Sequence, residues 1–270
     1  MRIPGVSNLN LLHLLAGFAL TAWCTQHVVA ATAAPPADPN EQLTVILVHG
    51  AWADGSSWSD VVPILQREGL RVVAVQNPLS SLADDVAATQ RAIDRQPGKV
   101  LLVGHSWGGV VITEAGRHPK VSGLVYVAAF APADGESVND LGADKDGPQA
   151  PGLSGIEPDA HGYLWMTTAN FAAHFAQDLP KARTSLMAVT QKPIAGRSFA
   201  DKVQTAAWRS RPSWYVLAEA DHMIPPPAQR AMANRAGAKV TSLATSHVPM
   251  MAKPQEVAAV IVAAARSPRP

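Results

Sequence analysis

The sequence predicts an α/β architecture in which a mostly parallel sheet carries helices on both faces. From Thr44 onward, short β-rich runs alternate with runs of helical apolar spacing, which is the pattern of such a sheet. The chain has 270 residues, of which 47% are hydrophobic and 16% are charged, and this composition supports a large core within one domain. The net charge of +1 provides no basic footprint for a nucleic acid partner.

Six apolar runs are strand candidates. The first is apolar along its whole length, as a strand buried on both faces should be. The predicted strands are residues 44–48, 71–75, 100–103, 123–128, 213–217 and 239–243.

Helical spacing of apolar residues recurs between these runs. The predicted helices are residues 58–65, 82–93, 110–115, 227–236 and 254–264. Either Ser80 or Ser81 could cap the second helix, and Gly237 ends the fourth.

Regular alternation stops between residues 132 and 207, where Pro and Gly become frequent and no strand-length β-rich run occurs. Insertions of this length in compact domains usually have a function. We therefore predict a helical lid at 132–207, inserted before the strand 213–217, on a core formed by residues 43–131 and 208–270. A helical excursion that only packs on the core is the alternative interpretation.

The first 33 residues have the features of an export signal. Arg2 supplies a positive start, residues 9–23 are largely apolar, and small residues near positions 30 and 33 offer cleavage sites. The apolar stretch is short for a membrane span, although an uncleaved anchor is the alternative, and a polar, Pro-rich linker follows at 34–42. We expect a secreted or periplasmic protein that has no stable membrane anchor once the signal is removed.

A G-x-S-x-G motif at residues 104–108 lies between the strand 100–103 and the helix 110–115. Glycine on each side of Ser106 permits a sharp turn that leaves the serine hydroxyl protruding above the sheet. Such a turn is a nucleophile elbow, which makes Ser106 the candidate nucleophile. Because the motif also occurs by chance, this interpretation depends on the rest of the machinery.

A serine hydroxyl needs a base in contact with it to attack at neutral pH. In chains with this elbow, the order along the sequence is Ser, then acid, then His. His247 lies between the last strand and the last helix, and Asp221 lies just past the strand 213–217. We predict Ser106, Asp221 and His247 as a catalytic triad, with Glu219 and Asp134 as alternative acids.

The oxyanion of a tetrahedral intermediate needs two preorganised N–H donors. We expect these donors to be the backbone N–H of Trp107, which follows the nucleophile, and that of Ala51, in the loop after the first strand. No His or Cys spacing indicates a metal site. The candidate pocket consists of apolar side chains from the insertion and the first loop, which suit an apolar acyl or aromatic group. They are Trp52, Trp165, Met166, Phe171 and Phe175.

These motifs resemble the branch of the α/β-hydrolase superfamily that contains plant methylesterases, hydroxynitrile lyases and related bacterial carboxylesterases. The resemblance rests on residues 45–52, 57–58, 104–109, 128–132, 221–225 and 246–247. It implies the α/β-hydrolase fold and hydrolysis of small hydrophobic or aromatic esters through an acyl-enzyme, without a cofactor. The lyase members carry Thr where this chain has Gly50 and Lys where it has Val248, which argues against cyanohydrin cleavage.

Other functions stay open at this point. The same triad can serve lactone, amide or peracid chemistry, and some relatives of the superfamily bind a ligand with little turnover. A small-molecule ester is the expected partner, and the sequence leaves the natural substrate and the oligomeric state open.

Overall fold

The computed structural model describes residues 43–142 and 150–268. The predicted export signal at 1–33 and linker at 34–42 lie outside the described residues. The strands and helices are, in chain order, β1 (Thr44–Val48), α1 (Val62–Arg67), β2 (Arg71–Ala74), α2 (Leu82–Asp94), β3 (Val100–His105), α3 (Gly108–Ala115), β4 (Val121–Val127), α4 (Val138–Leu141), β5 (Ile156–Pro158), β6 (Tyr163–Met166), α5 (Thr168–Asn170), α6 (Lys181–Thr190), β7 (Ile194–Ala195), β8 (Ser213–Ala218), α7 (Pro226–Arg235), β9 (Lys239–Leu243), α8 (Pro249–Ala252) and α9 (Pro254–Arg266). Short 3-10 turns cover Gly55–Trp58, Pro151–Gly155, Gly196–Ala200 and Ala207–Arg209, and a π-helical turn covers Phe171–Phe175.

The main sheet has six strands in the order β2-β1-β3-β4-β8-β9, and every neighbouring pair is parallel. The central strands β1 and β3 are buried along their whole length, whereas β9 at one edge is largely exposed. Central strands of a parallel sheet are covered on both faces, which is why they are almost entirely aliphatic. The predicted α/β sheet is confirmed, and each strand begins and ends close to its predicted bounds.

The strand register brings the loops that carry the candidate site residues together at the carboxyl ends of the strands. Val48 at the end of β1 pairs with Gly104 of β3, and His105 pairs with Val127 at the end of β4. Val127 in turn pairs with Val216 of β8. Because the strands are parallel, the loops that follow them all leave the sheet at the carboxyl ends of the strands, where open α/β sheets bind their ligands.

Two predicted helices differ in how closely the structure follows them. The helix expected at 58–65 divides into the turn Gly55–Trp58 and α1, because Pro63 favours the first turn of a helix. Helix α2 begins as expected, where the Ser81 hydroxyl accepts a hydrogen bond from the N–H of Asp84 at 3.1 Å. In the part of the chain that the structure describes, no helix combines the length and the apolar character that crossing a membrane requires.

The insertion between β4 and β8 contains strands as well as helices, which corrects the prediction of a helical lid. Strands β5, β6 and β7 form a small antiparallel sheet that is separate from the main one. They have three, four and two residues, too few for an alternating pattern to be visible in the sequence. Helices α4 to α6, the π-helical turn and three 3-10 turns supply the other regular structure in the described part of this region.

The turn from β3 to α3 is so crowded that two of its positions exclude a side chain. A Cβ atom at Gly104 would lie 2.5 Å from the carbonyl oxygen of Gly108, and one at Gly108 would lie 2.4 Å from the carbonyl oxygen of Val48. Main-chain atoms cannot swing aside as a flexible side chain can. The turn therefore requires glycine on both sides of Ser106.

We expect Gly108→Ala to lower the free energy of unfolding by about 1–3 kcal/mol, the usual cost of overpacking a core. Urea denaturation measures the change. The matched control is Gly142→Ala, because a Cβ atom there would meet none of the described atoms closer than 3.7 Å, and we expect a change within about 0.5 kcal/mol. Equal stability of Gly108→Ala and the unaltered protein would contradict the close approach between α3 and β1.

Candidate active site

Ser106 occupies the turn between β3 and α3 in a strained backbone conformation. Its φ angle is 52°, in the left-handed region that residues other than glycine rarely adopt. The N–H of Ser106 donates to the carbonyl of Val127 at 3.3 Å, and its carbonyl accepts from Gly109 and Phe130 at 2.9 and 3.2 Å. These hydrogen bonds hold the strained residue in place, at the wall of a cavity described below.

The structure brings His247 and Asp221 into one hydrogen-bonded chain with Ser106. Nε2 of His247 lies 2.9 Å from Oγ of Ser106, and Nδ1 of His247 lies 2.7 Å from Oδ2 of Asp221. The exposed fractions of Ser106, Asp221 and His247 are 5%, 3% and 1%. Because the carboxylate accepts at Nδ1, the imidazole carries its proton there and leaves Nε2 free to accept the serine proton.

The carboxylate of Asp221 is held by donors on both oxygens. Oδ1 accepts from the N–H groups of Met223 and Ile224 at 2.7 and 3.0 Å, and Oδ2 accepts from the amide of Gln229 at 2.7 Å. Gln229 is fully buried on α7 and is absent from the site residues predicted above. Its only signal in the sequence is a polar side chain on the buried face of a helix.

The two alternative acids are engaged elsewhere. Glu219 forms an ion pair of 2.8 Å with Arg230, and Asp134 forms one of 3.1 Å with Arg209. Both carboxylates are partly exposed, and their partners are surface guanidinium groups. Asp221 is the acid in contact with the imidazole.

The backbone N–H groups of Ala51 and Trp107 have no hydrogen-bond acceptor among the described residues. Both residues line the cavity beside Ser106. The N–H of Trp107 also lies at the N-terminus of α3, where the helix dipole favours negative charge. The two predicted donors are therefore available to an oxygen atom that develops charge beside Ser106.

The ring of His49 fixes the orientation of the Ala51 peptide. Nδ1 of His49 donates to the carbonyl of Gly50 at 2.9 Å, and Nε2 accepts from the N–H of Asn77 at 2.9 Å. Because the C=O and N–H of a trans peptide point in opposite directions, fixing the Gly50 carbonyl also fixes the Ala51 N–H. Burial lowers the pKa of His49 to about 4, so the ring is neutral at pH 7 and Nε2 can accept.

His105 supports the main chain of His247. Nε2 of His105 donates to the carbonyl of His247 at 2.8 Å, and the two ring centroids are 4.9 Å apart. Burial, reinforced by the neighbouring His247, holds the pKa of His105 well below its usual value. His105 therefore anchors the loop as a neutral ring and adds no charge beside the imidazole.

A cavity of about 630 Å³ opens beside Ser106 and His247, a volume within the range of small-molecule sites. Most of its wall is apolar and is supplied by the loops after β4 and β8, by α4 and α7, and by 3-10 turns of the insertion. Representative wall residues are Phe130, Leu141, Leu153, Phe199, Ile224 and Met232. The site therefore presents a reactive hydroxyl to an apolar space.

The cavity wall differs from the pocket predicted above. Trp52 lines the cavity, and its indole N–H donates to the carbonyl of Leu164 in the insertion at 2.9 Å. The other four predicted residues are not among the lining residues: Trp165, Met166, Phe171 and Phe175. These four side chains are apolar, as a pocket wall requires, but whether they face the cavity depends on how the insertion folds over the core.

Three of these four residues are buried and pack the insertion against the core. The ring of Phe175 meets the imidazole of His247 edge-on with centroids 5.0 Å apart, and Phe171 packs on Phe175 at 5.0 Å. Trp165, by contrast, is 41% exposed, and its indole N–H donates to Asp159. Phe175 thus supports the candidate base rather than contacting a substrate in this cavity.

Comparison with known proteins places this geometry in a family. Residues 45–260, most of the chain, match the family model described as the alpha/beta hydrolase family. The protein belongs to the α/β hydrolase family.

This α/β hydrolase is 27% identical to the pyrethroid hydrolase of Sphingobium wenxiniae, over 83% of this chain and 88% of that protein. It is also 27% identical to Methylesterase 2 of Arabidopsis thaliana, over 78% of this chain and 91% of the relative. The crystal structure of a pyrethroid hydrolase from Sphingobium faniae matches with a TM-score of 0.72 at 25% identity, over 84% of this chain and 99% of that chain. The predicted branch of the superfamily is confirmed, and the protein is a hydrolase of the carboxylesterase type.

Asp85 of α2 is a carboxylate buried next to the elbow of this hydrolase, with no exposed surface. Burial raises the pKa of Asp85 to about 6, although hydrogen bonds from Trp107 and Leu79 and the charge of Lys192 favour the ionised form. The usual value is 3.8, so between about pH 4 and pH 6 the folded state keeps a proton that the unfolded state has released. The free energy of unfolding contributed by this group therefore falls as the pH rises through that window.

The variant Asp85→Asn has no such titration. We expect the free energy of unfolding of Asp85→Asn to rise relative to that of the unaltered protein by up to about 3 kcal/mol as the pH increases from 4 to 7. The size follows from a pKa raised from 3.8 to about 6, at about 1.4 kcal/mol per pKa unit. Urea denaturation of both proteins at several pH values across this range measures the gain. Parallel curves would contradict a raised pKa at Asp85.

Proposed function

We propose that this hydrolase cleaves small hydrophobic or aromatic carboxylic esters through an acyl-enzyme on Ser106. The observation that carries the proposal is the hydrogen-bonded chain from Asp221 through His247 to Ser106, which ends at an apolar cavity. Such a chain makes a serine hydroxyl nucleophilic at neutral pH.

In the first half of the reaction, Oγ of Ser106 bonds to the ester carbonyl carbon while Nε2 of His247 takes the hydroxyl proton. The carbonyl oxygen becomes an oxyanion that accepts hydrogen bonds from the N–H groups of Ala51 and Trp107. The carbon–oxygen bond to the alcohol then breaks, and His247 returns the proton to the departing alkoxide oxygen. Asp221 stabilises the imidazolium that exists between these two transfers.

In the second half, water takes the place of the alcohol. His247 accepts a proton from the water as its oxygen bonds to the acyl carbon, and the same two N–H groups hold the oxyanion. The bond from the acyl carbon to Oγ of Ser106 then breaks, and His247 passes the proton from the water to Oγ, which releases the carboxylic acid and restores the serine hydroxyl. Each proton that His247 accepts it passes on within the same half of the reaction, so the cycle balances without a cofactor.

The lining of the cavity favours an uncharged substrate. Arg235 is a cationic residue in its wall, and the guanidinium is held by Glu136 through hydrogen bonds of 2.8 and 2.7 Å. A substrate anion would have to compete with that carboxylate for the same donors, whereas an alkyl or aromatic group fits the remaining wall. The relatives named as a pyrethroid hydrolase and a methylesterase are consistent with ester substrates.

We further propose that the enzyme is exported and acts in the periplasm or the medium. The support is the composition of residues 1–33, with Arg2 before a short apolar run and small residues at two cleavage positions.

Hydrolysis of p-nitrophenyl butyrate by the purified protein tests the proposed reaction. We expect steady turnover, and we expect Ser106→Ala to lower kcat at least about 10³-fold, because the nucleophile carries most of the rate enhancement of such a triad. A fluorophosphonate probe should label the unaltered protein and leave Ser106→Ala unlabelled. Absence of turnover in the folded protein, or full activity of Ser106→Ala, would contradict the proposal.

Expression of the whole chain in a Gram-negative host tests export. We expect the protein in the periplasm or medium, with an N-terminal sequence that begins after Ala30 or Ala33, since signal peptidase cleaves after small residues. A protein that stays in the cytoplasm with residues 1–33 attached would contradict export.

A further inference from the structure

The proposed reaction does not use the carboxylate of Asp85, yet two hydrogen bonds tie this group to the elbow and its surroundings. Oδ2 of Asp85 accepts from the indole Nε1 of Trp107 at 2.7 Å, and Oδ1 accepts from the backbone N–H of Leu79 at 2.7 Å. Trp107 is fully buried, and its ring packs on Phe199 with centroids 5.8 Å apart. The residue that carries one oxyanion donor on its backbone is thus held through its side chain by Asp85.

The segment from Asn77 to Leu79 connects this carboxylate to the second oxyanion donor. The N–H of Asn77 donates to Nε2 of His49, the ring that fixes the Ala51 peptide. Two residues later, the N–H of Leu79 donates to Asp85. One short segment therefore contacts the support of each donor.

Leu79 adopts a conformation that needs an external constraint. Its φ angle is 61°, in the left-handed region that is unfavourable for a residue with a branched side chain. The N–H of Leu79 donates to Asp85, and its carbonyl accepts from the N–H of Ala195 in the insertion at 2.8 Å. Asp85 is one of the two anchors that keep this strained residue in place.

The chemistry of the contact explains why the position carries an acid. Two N–H donors, from Leu79 and Trp107, converge on the two oxygens of Asp85. An ionised carboxylate only accepts hydrogen bonds, whereas an asparagine amide accepts at its oxygen and donates at its nitrogen. Asparagine would place its NH₂ group against one of the two donors, although it would remove the cost of burying a charge.

We propose that Asp85 is a positioning residue for the oxyanion hole, which it shapes by holding Trp107 directly and the Ala51 loop through Leu79, Asn77 and His49. The proposal rests on the proposed esterase function. It assigns to α2, a helix that contributes none of the described residues of the cavity wall, control over where the two N–H groups point. Because oxyanion donors act mainly in the transition state, their misplacement lowers kcat more than it changes KM.

A double-mutant cycle with p-nitrophenyl butyrate tests the proposal. We expect Asp85→Asn to lower kcat about 10- to 100-fold with KM within about twofold, a loss comparable to that of one oxyanion donor or somewhat smaller. Trp107→Phe removes the indole N–H that Asp85 accepts, together with part of the ring, and in its background the effect of Asp85→Asn on kcat should shrink several-fold because one of the two contacts is already absent. The matched control, Asp84→Asn, alters an exposed carboxylate on the same turn of α2 and should leave kcat within about twofold.

The outcomes separate this proposal from the proposed function. An unaltered protein without ester turnover would overturn both. An active enzyme whose kcat is unchanged in Asp85→Asn, or whose kcat losses are additive in the cycle, would overturn the role of Asp85 alone. If Asp85→Asn does not fold, Trp107→Phe decides: a lower kcat at constant KM supports the proposal, and an unchanged kcat overturns it.

Discussion

At the β3–α3 turn, the main chain of Gly108 lies against the carbonyl oxygen of Val48, the last residue of β1. This contact brings the elbow next to the loop that follows β1, so that a Cβ atom at Gly50 would lie 2.8 Å from Cβ of Ser106. Main-chain packing therefore places Ser106, the candidate nucleophile, beside the Ala51 N–H. Hydrogen bonds from nearby side chains are then enough to orient the other groups of the site.

Around that contact, polar groups are held by buried neighbours rather than by the substrate. Asp221 is fixed by two backbone N–H groups and by Gln229, and the loop of His247 is fixed by His105. The insertion adds Phe175 against the imidazole. Groups held in this way lose little freedom when a substrate enters, which is the condition for electrostatic preorganisation of a transition state.

The main sheet and the three residues that meet at the site could be predicted from the sequence because both depend on local signals. A buried strand is visible as an aliphatic run, and the elbow is visible as glycine on both sides of Ser106. The cavity wall could not be predicted in this way, because the positions of Trp165 and Phe171 depend on the small antiparallel sheet of the insertion, whose strands are too short to leave a pattern. The composition of the insertion does not distinguish apolar residues that pack against the core from apolar residues that line a cavity.

Gln229 and Asp85 are cases in which the sequence indicates an unusual position but not its function. Each lies on the buried face of its helix, where a polar side chain needs a partner. The sequence therefore marks both positions as unusual. It does not identify the partners, since the N–H of Leu79, the indole of Trp107 and the carboxylate of Asp221 reach them only in the folded chain.

The candidate base of this site follows the most exposed strand of the main sheet. Strand β9 is an edge strand whose residues are mostly exposed, and His247 lies in the loop that follows it, whereas Ser106 directly follows a strand buried along its whole length. Edge elements open at a lower free energy than the centre of a fold. Heating is therefore expected to open the β9 edge and stop the reaction at a lower temperature than the one that unfolds the central strands, and cooling is expected to restore activity.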